Sequence, residues 1–173
     1  MLRLAILRHA EAVPQHSELD DSARALTEAG RDMSERMGRY FSDEGFVPDL
    51  ALVSPSVRTR ETFEGLQRGA GRDFKAEFPP ELFHATCEGL DDLIVATPEK
   101  VKFLLVVGHN PGLAELAVER AGKGKKSELA KMRGHFPAPC LAVIDFDVKS
   151  WKKIADEEGR LEYFVTRGAL AKM

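Results

Sequence analysis

The sequence predicts an α/β fold built on buried parallel strands, and three observations point to it. First, three short runs are continuously apolar: 4–7 (LAIL), 50–53 (LALV) and 103–107 (FLLVV). Strands buried on both faces read this way, whereas a strand with one wet face alternates apolar and polar residues. Second, each run stops abruptly at a polar turn. Third, helical patterns separate the runs, as parallel strands require. In open α/β sheets, ligands settle just beyond the carboxyl ends of the strands, so these turns are the first place to look for chemistry.

At 173 residues the chain fits a single domain, 1–173, by the usual ~100–200 residues per domain. A chain of this size buries about 70% of its unfolded surface, so its core needs no staples. An apolar content of 43% and a charged content of 31% place it with soluble globular proteins rather than disordered ones. A net charge of −3 provides no footprint for nucleic acid or an anionic membrane. Cys87 and Cys140 form no metal-type pair and read as reduced core residues of a reducing compartment. No apolar stretch approaches the ~18 residues of a membrane span, and the N-terminus lacks a signal-peptide pattern. The expected location is the cytoplasm.

The first strand ends in Arg8, His9, Ala10 and Glu11. Residues 14–24 have loop composition and enough length to fold over a site, with Arg24 able to reach an anion. A helix is predicted over about 27–44, with Thr27 as N-cap and Glu28 at its positive end. Met33, Met37, Tyr40 and Phe41 recur at helical spacing as a core stripe, and Gly45 supplies the stop. After the second strand, Pro55 suits a first helical turn. That places Arg58 near the strand's carboxyl end, with Arg60 and Glu61 facing solvent. Gly65, Gly69 and Gly71 read as closing this helix before a weak strand near 74–78.

Pro79 and Pro80 mark a turn, and a short helix over about 88–96 buries Leu90, Leu93 and Ile94 until Thr97 and Pro98 break it. The strand 103–107 runs into Gly108, His109, Asn110 and Pro111, the last starting a helix over about 112–121. The run GKGKKS (122–127) lacks phosphate-loop spacing and follows no strand, so it reads as a solvated loop. A loop with His135 and two prolines is expected over 131–139. A strand over 141–146, a turn with Trp151 and a strand over 161–165, with Phe164 inward and Glu162 outward, complete the chain.

Carboxyl ends of neighbouring parallel strands lie about 4.8 Å apart, so Arg8, His9, Arg58 and His109 converge on one pocket. Two planar guanidinium forks match a tetrahedral oxyanion, and helices starting near Pro55 and Pro111 add oriented N–H groups. Positive neighbours repel a metal, and the carboxylate cluster that Mg²⁺ requires is missing. His9-Ala10-Glu11 matches the H-x-E of zinc deaminases, but no P-C-x-x-C follows from Pro139 and Cys140. Neither a metal nor a cofactor is expected. A histidine then acts as nucleophile through a phosphohistidine intermediate, while the arginines neutralise the equatorial oxygens of the phosphoryl group.

Three blocks, LRHAEA (7–12), SPSVRTRET (54–62) and VGHNPGL (107–113), resemble the signature blocks of the histidine phosphatase superfamily, whose fold is phosphoglycerate mutase-like. More narrowly, the chain is similar to SixA-type phosphohistidine phosphatases. The similarity continues through ARALTEAGRDMSERMGRYF (23–41), PDLALVSPS (48–56), ELFHAT (81–86), LAVIDFDVKSW (141–151) and EGRLEYFVTRGAL (158–170). It implies a three-layer α/β/α sandwich with a mostly parallel central sheet. It also implies that His9 is the nucleophile, that Arg8 and Arg58 clamp the phosphoryl oxygens, that His109 stabilises the transition state and that Arg24 completes the anion pocket.

One departure bears on substrate. The wider superfamily carries a glutamate general acid after the third strand, in an L-x-E context; here Leu82-Phe83-His84 puts a histidine there, and Glu81 precedes the leucine. An alkoxide leaving group needs a strong proton donor, worth roughly 10²–10⁴-fold, whereas the nitrogen of a phosphohistidine leaves more readily. His84 is a candidate substrate-binding or donating residue, or an exposed loop histidine. Glu11 is expected to orient its loop. Phe136-Pro137-Ala138 and Thr166-Arg167-Gly168 replace Pro-Thr and Thr-Pro-Arg, changes that touch substrate detail and not the reaction. The chain lacks insertions that would build a deep lid, and an open pocket suits a protein side chain.

The expected activity is therefore a metal-independent phosphatase acting on phosphohistidine in a protein. The alternatives are a small-molecule phosphomonoesterase on the same scaffold and a catalytically slow phosphate-binding regulatory module, although a pure binder need not keep a nucleophile. The expected partner is a phosphorylated protein or a small phosphate compound, with no nucleic acid and no membrane.

Overall fold

The computed structural model describes all 173 residues. Its strands are β1 (Leu2–Arg8), β2 (Leu50–Val53), β3 (Ala76–Glu77), β4 (Phe103–Gly108), β5 (Ala121–Gly124), β6 (Cys140–Phe146) and β7 (Gly159–Thr166). Its helices are α1 (Glu28–Glu44), α2 (Val57–Ala70), α3 (Cys87–Val95), α4 (Gly112–Arg120), α5 (Lys126–Gly134) and α6 (Arg167–Ala171). The seven strands form one sheet in the order β3-β2-β4-β1-β6-β7-β5. All are parallel except β6, which runs against both β1 and β7.

The two-residue period of a strand divides β1 between two cores. Leu2, Leu4 and Ile6 pack with Leu90, Ile94 and Leu116 on the α3–α4 side, while Ala5 and Leu7 pack with Met37, Phe41 and Leu66 on the α1–α2 side. This is the three-layer α/β/α sandwich. The three apolar runs are its central strands, fully buried from Leu4 to Leu7, from Leu50 to Val53 and from Leu104 to Val107. No helix is long and apolar enough to cross a membrane.

Helix α1 begins and ends as its caps dictate. Thr27 Oγ1 accepts the Gly30 N–H, and Gly45 takes the left-handed φ of 68°. The start of α2 differs from expectation: Pro55 lies outside it, and Ser56 is the residue preceding its first turn. Gly65 and Gly69 do not close α2 either; only Gly71 does, at φ 68°. The other two lie within the helix because α1 presses against it. A Cβ at Gly69 would overlap the Glu35 carbonyl oxygen, and one at Gly38 of α1 would overlap that of Leu66. Close backbone approach, not chain reversal, selects glycine there.

Three further expectations give way. Part of the run 122–127 is not a loop: Ala121 to Gly124 form edge strand β5, paired parallel with β7, and Lys126 opens α5. Glycine and lysine carry no strand propensity, so the pairing partner imposes the conformation. The expected loop over 131–139 starts only at His135, because Leu129 and Met132 bury a helical stripe of α5. Cys140 is a core residue, but Cys87 is half-buried, and its thiol donates to Glu119 Oε2 at 3.0 Å. Burial and that carboxylate push the Cys87 thiol up to about 12.

A register shift between Val143 and Ile144 leaves Glu162 of β7 exposed and unpaired. Beyond this bulge the alternation inverts, so Leu161 and Phe164 face one core while Tyr163 and Val165 face the other. Phe164 stacks on Phe136, their centroids 5.9 Å apart.

The α1–α2 contact makes a prediction. Replacing Gly69 with Val should lower unfolding free energy by about 3 kcal/mol, since overpacking must move backbone rather than a flexible side chain. Gly134→Ala, with nothing within 4 Å of the added carbon, should change it by less than about 0.5 kcal/mol. Urea denaturation of the two variants checks the contrast.

Candidate active site

The carboxyl ends of β1, β2 and β4 are stapled together by backbone. The His9 N–H donates to the Gly108 carbonyl at 3.2 Å, and the Ser54 N–H donates to that of Val107 at 3.0 Å. His9 and His109 consequently leave adjacent strands side by side, with ring centroids 5.4 Å apart, and both are buried. The turn after β1 is tied to α2, because the Ala10 N–H donates to Thr62 Oγ1 at 3.0 Å.

Each imidazole is held on one nitrogen. His9 Nδ1 lies 2.7 Å from the Ala10 carbonyl oxygen, an acceptor only, so Nδ1 carries the proton and Nε2 carries the lone pair. His109 Nε2 lies 2.7 Å from Ser54 Oγ. Burial pushes His9 down to about 4, with Arg58, Arg8 and Arg24 adding to the effect and the Ala10 hydrogen bond opposing it. Burial likewise pushes His109 down to about 3, helped by Arg58 and His9. Both rings are neutral near pH 7.

Arg58 is the second residue of α2 and its side chain is 6% exposed. Its Nη1 donates to the Asp21 carbonyl at 2.7 Å, and its Nη2 donates to Asp21 Oδ2 at 3.0 Å. Arg8 donates from Nη1 to the Phe136 carbonyl at 3.0 Å and enters no salt bridge. Burial pulls the Arg8 guanidinium below its ordinary value. Four buried side-chain atoms in the chain lack a hydrogen-bond partner, and all four lie here: Arg8 Nε, Arg58 Nε, His109 Nδ1 and Asn110 Oδ1. Buried polar groups are ordinarily paired, so these four atoms keep hydrogen-bonding capacity to offer within one cluster.

Arg24 and His84 meet the cluster through Asp21. Arg24 Nη1 donates to Asp21 Oδ1 at 3.0 Å, and its Nε donates to the Val13 carbonyl at 2.9 Å. His84 takes φ 60°, its side chain is 68% exposed, and its Nε2 lies 3.8 Å from Asp21 Oδ2. Its ring is 6.5 Å from that of His109. Burial alone would raise the Asp21 carboxyl, but hydrogen bonds from Arg24 and Arg58 outweigh it and hold the group below its usual range. This carboxylate, already shared by two guanidiniums, is poorly placed to ligate a metal.

Neighbouring groups serve the frame. Glu11 accepts from Thr27 Oγ1 at 2.8 Å and from Arg167 Nη1 at 2.7 Å, which fixes the turn after His9. Glu61 does not simply face solvent: it accepts the Leu26 N–H at 3.1 Å and reaches Arg31 at 3.4 Å. Its i-position on α2 turns it toward a loop donor that periodicity does not reveal. Ser54, Asp21, Asn110 and the Phe136 carbonyl join the cluster beyond the predicted site residues, Phe136 from the segment whose departure from the family pattern touches substrate detail. Ser54 and Asn110 stand inside the quoted blocks, one beside Pro55 and the other beside His109. Asp21 and Phe136 lie in segments whose composition signals only a loop.

The model of the histidine phosphatase superfamily (branch 1) matches residues 4–90. The phosphohistidine phosphatase SixA of Escherichia coli K12 is 31% identical over 120 residues, which span 68% of this chain and 73% of that protein. An uncharacterized chloroplastic protein of Arabidopsis thaliana is 30% identical over 134 residues, 72% of this chain but 61% of its own length. A crystal structure assigned as a phosphohistidine phosphatase SixA from Agrobacterium tumefaciens superposes with a TM-score of 0.80 and 29% identity, covering 95% of this chain and 97% of that one.

The two neutral imidazoles predict how stability depends on pH. Their folded values lie below the ordinary 6.5, so from about pH 6.5 down to about 4 the unfolded chain binds protons that the folded chain refuses. The effect is absent above pH 6.5, and stability falls as the pH drops through this window, by up to about 1.4 kcal/mol per pH unit for each ring. Urea denaturation at pH 7, 6 and 5 should show a shallower fall for His9→Gln than for the unaltered protein.

Proposed function

Because the chain belongs to the histidine phosphatase superfamily (branch 1), we propose that it is a metal-independent phosphatase that forms a covalent intermediate on His9, with phosphohistidine in a protein as its substrate. The observation that carries this reading is the state of the His9 ring. Its Nδ1 proton is committed to the Ala10 carbonyl, its lone pair is on Nε2, and it stays neutral down to about pH 4. A neutral, oriented imidazole beside two guanidiniums is an activated nucleophile facing an anion receptor.

In the first step His9 Nε2 attacks phosphorus and the bond to the substrate imidazole breaks, that imidazole leaving with a proton from solvent or from His84. Arg8 and Arg58 donate to the equatorial oxygens, Arg58 through N–H groups left over from its two bonds to Asp21. His109, braced by Ser54, stabilises the charge that spreads over those oxygens. Arg24 keeps Asp21, and through it Arg58, in place. Water then attacks the phosphorylated His9, releasing inorganic phosphate and restoring the neutral ring. The surrounding cations disfavour a metal ion at the same point.

The choice of a P–N over a P–O bond rests on the L-x-E position, where His84 stands in place of a carboxylic acid. Asp21 is the carboxylate bonded to the arginines, and they hold it in its ionised form. A leaving nitrogen tolerates a weak donor and an alkoxide does not. The Escherichia coli relative named a phosphohistidine phosphatase agrees with this choice. A cytoplasmic setting suits the two free thiols.

A trapping experiment tests the mechanism. Incubation with ³²P-labelled phosphohistidine and rapid quenching should give an acid-labile, alkali-stable label on the protein. His9→Ala should lose both the label and turnover, by at least about 10³-fold. Activity should survive a chelator. Turnover surviving in His9→Ala refutes the covalent step, and faster cleavage of phosphoserine or sugar phosphates than of phosphohistidine refutes the substrate.

A further inference from the structure

Beside the phosphoryl pocket lies a larger recess that the chemical steps do not use. It runs between α4 and α5, has a volume of about 510 Å³ and is bounded on its catalytic side by Arg8 and Asn110. Ala114, Val118, Met132 and Phe136 give it an apolar lining. Val118 is 39% exposed, an apolar side chain left on an open wall. Charged side chains line it too, Glu115 and Glu119 on the α4 side and Arg133 on the α5 side, beside His135. Glu115 and Arg133 form no salt bridge within the chain.

We infer that this recess receives the polypeptide flanking the phosphorylated residue of a protein substrate, taking one apolar side chain onto Val118 and Phe136 and turning a basic residue toward Glu115. The assignment builds on the phosphatase reading above and narrows its substrate. The recess adjoins the catalytic pocket along Arg8, Asn110 and Glu115, and the Phe136 carbonyl accepts there from Arg8 Nη1 at 3.0 Å and from Asn110 Nδ2 at 2.9 Å. Whatever occupies the recess therefore lies against the phosphoryl clamp.

Size and charge choose the occupant. A phosphoryl group needs only the clamp, whereas a recess of this volume falls within the ~300–1,000 Å³ that accommodates whole organic groups. Glu115 also lines the smaller cavity that holds His84 and His109, so an unpaired carboxylate stands at the mouth of an anion site. It repels a small ligand with further acidic groups and attracts a cationic neighbour of the phosphoryl group. Apolar and basic side chains next to a phosphorylated residue are what a polypeptide offers and a small polyanionic metabolite lacks.

The test uses synthetic peptides carrying a single phosphohistidine, with Leu or Ala on one flank and Lys or Glu on the other, alongside phosphoramidate and an aryl phosphate. Val118→Asp is an exposed change outside the reacting groups, and circular dichroism verifies its fold. It should lower kcat/KM on the Leu peptide by about tenfold, the scale of one apolar contact in a pocket, while hydrolysis of phosphoramidate stays unchanged. Glu115→Lys should reverse the preference for the Lys peptide over the Glu peptide. Equal effects of Val118→Asp on peptide and phosphoramidate, or no effect on either, overturn the assignment. A loss confined to the aryl phosphate assigns the recess to small organic phosphates instead, and overturns it as well. If the unaltered protein cleaves neither phosphoramidate nor phosphohistidine, the phosphatase reading falls first; if it cleaves both and the variants discriminate nothing, only the recess assignment falls.

Discussion

The strand ends turn on burial: two imidazoles sit side by side where desolvation disfavours their charged forms, and nearby guanidiniums add to the effect. Arg58 and the two imidazoles are buried, and Arg8 is half-buried beside them. Such a cluster can persist only if the imidazoles give up their charge and the guanidiniums find compensation. The imidazoles do so, which leaves each ring with a lone pair. The guanidiniums find compensation in Asp21 and in backbone carbonyls.

That placement needs a rigid frame. The parallel ladder fixes His9 and His109 through backbone bonds that no side-chain motion relaxes. Arg58 is fixed differently, by a helix locked to its neighbour through glycine contacts, with Thr62 linking the same helix to the turn after His9. Side chains long enough to wander are therefore tied at both ends, which keeps the receptor organised before a ligand arrives.

The central strands and the convergence of Arg8, His9, Arg58 and His109 were legible because continuous apolar runs followed by polar turns are local signals. The edge strand β5 was not, since its glycines and lysines adopt strand geometry only because β7 offers partners. Gly65 and Gly69 were misread because a glycine at a helix crossing and one at a helix end look alike until the second helix is in place. The same limit hid Asp21 and Phe136. Their roles rest on contacts across 37 and 128 positions of sequence, to Arg58 and Arg8 respectively, which spacing along the chain cannot encode. His84 was visible as a residue in an unusual place, but its distance from Asp21 required the fold.

The single reversed strand has a consequence for how such a protein can diversify. Because β6 runs against β1, the chain enters it, rather than leaves it, at the catalytic edge, and the entering segment carries Phe136. Beyond that segment, β6 is locked in register on both sides by β1 and β7. Residues can be inserted or exchanged ahead of Cys140 while the pairing that aligns the histidines stays fixed. The topology thus leaves the segment ahead of Cys140, which borders Arg8 and Asn110, as a natural target for directed evolution.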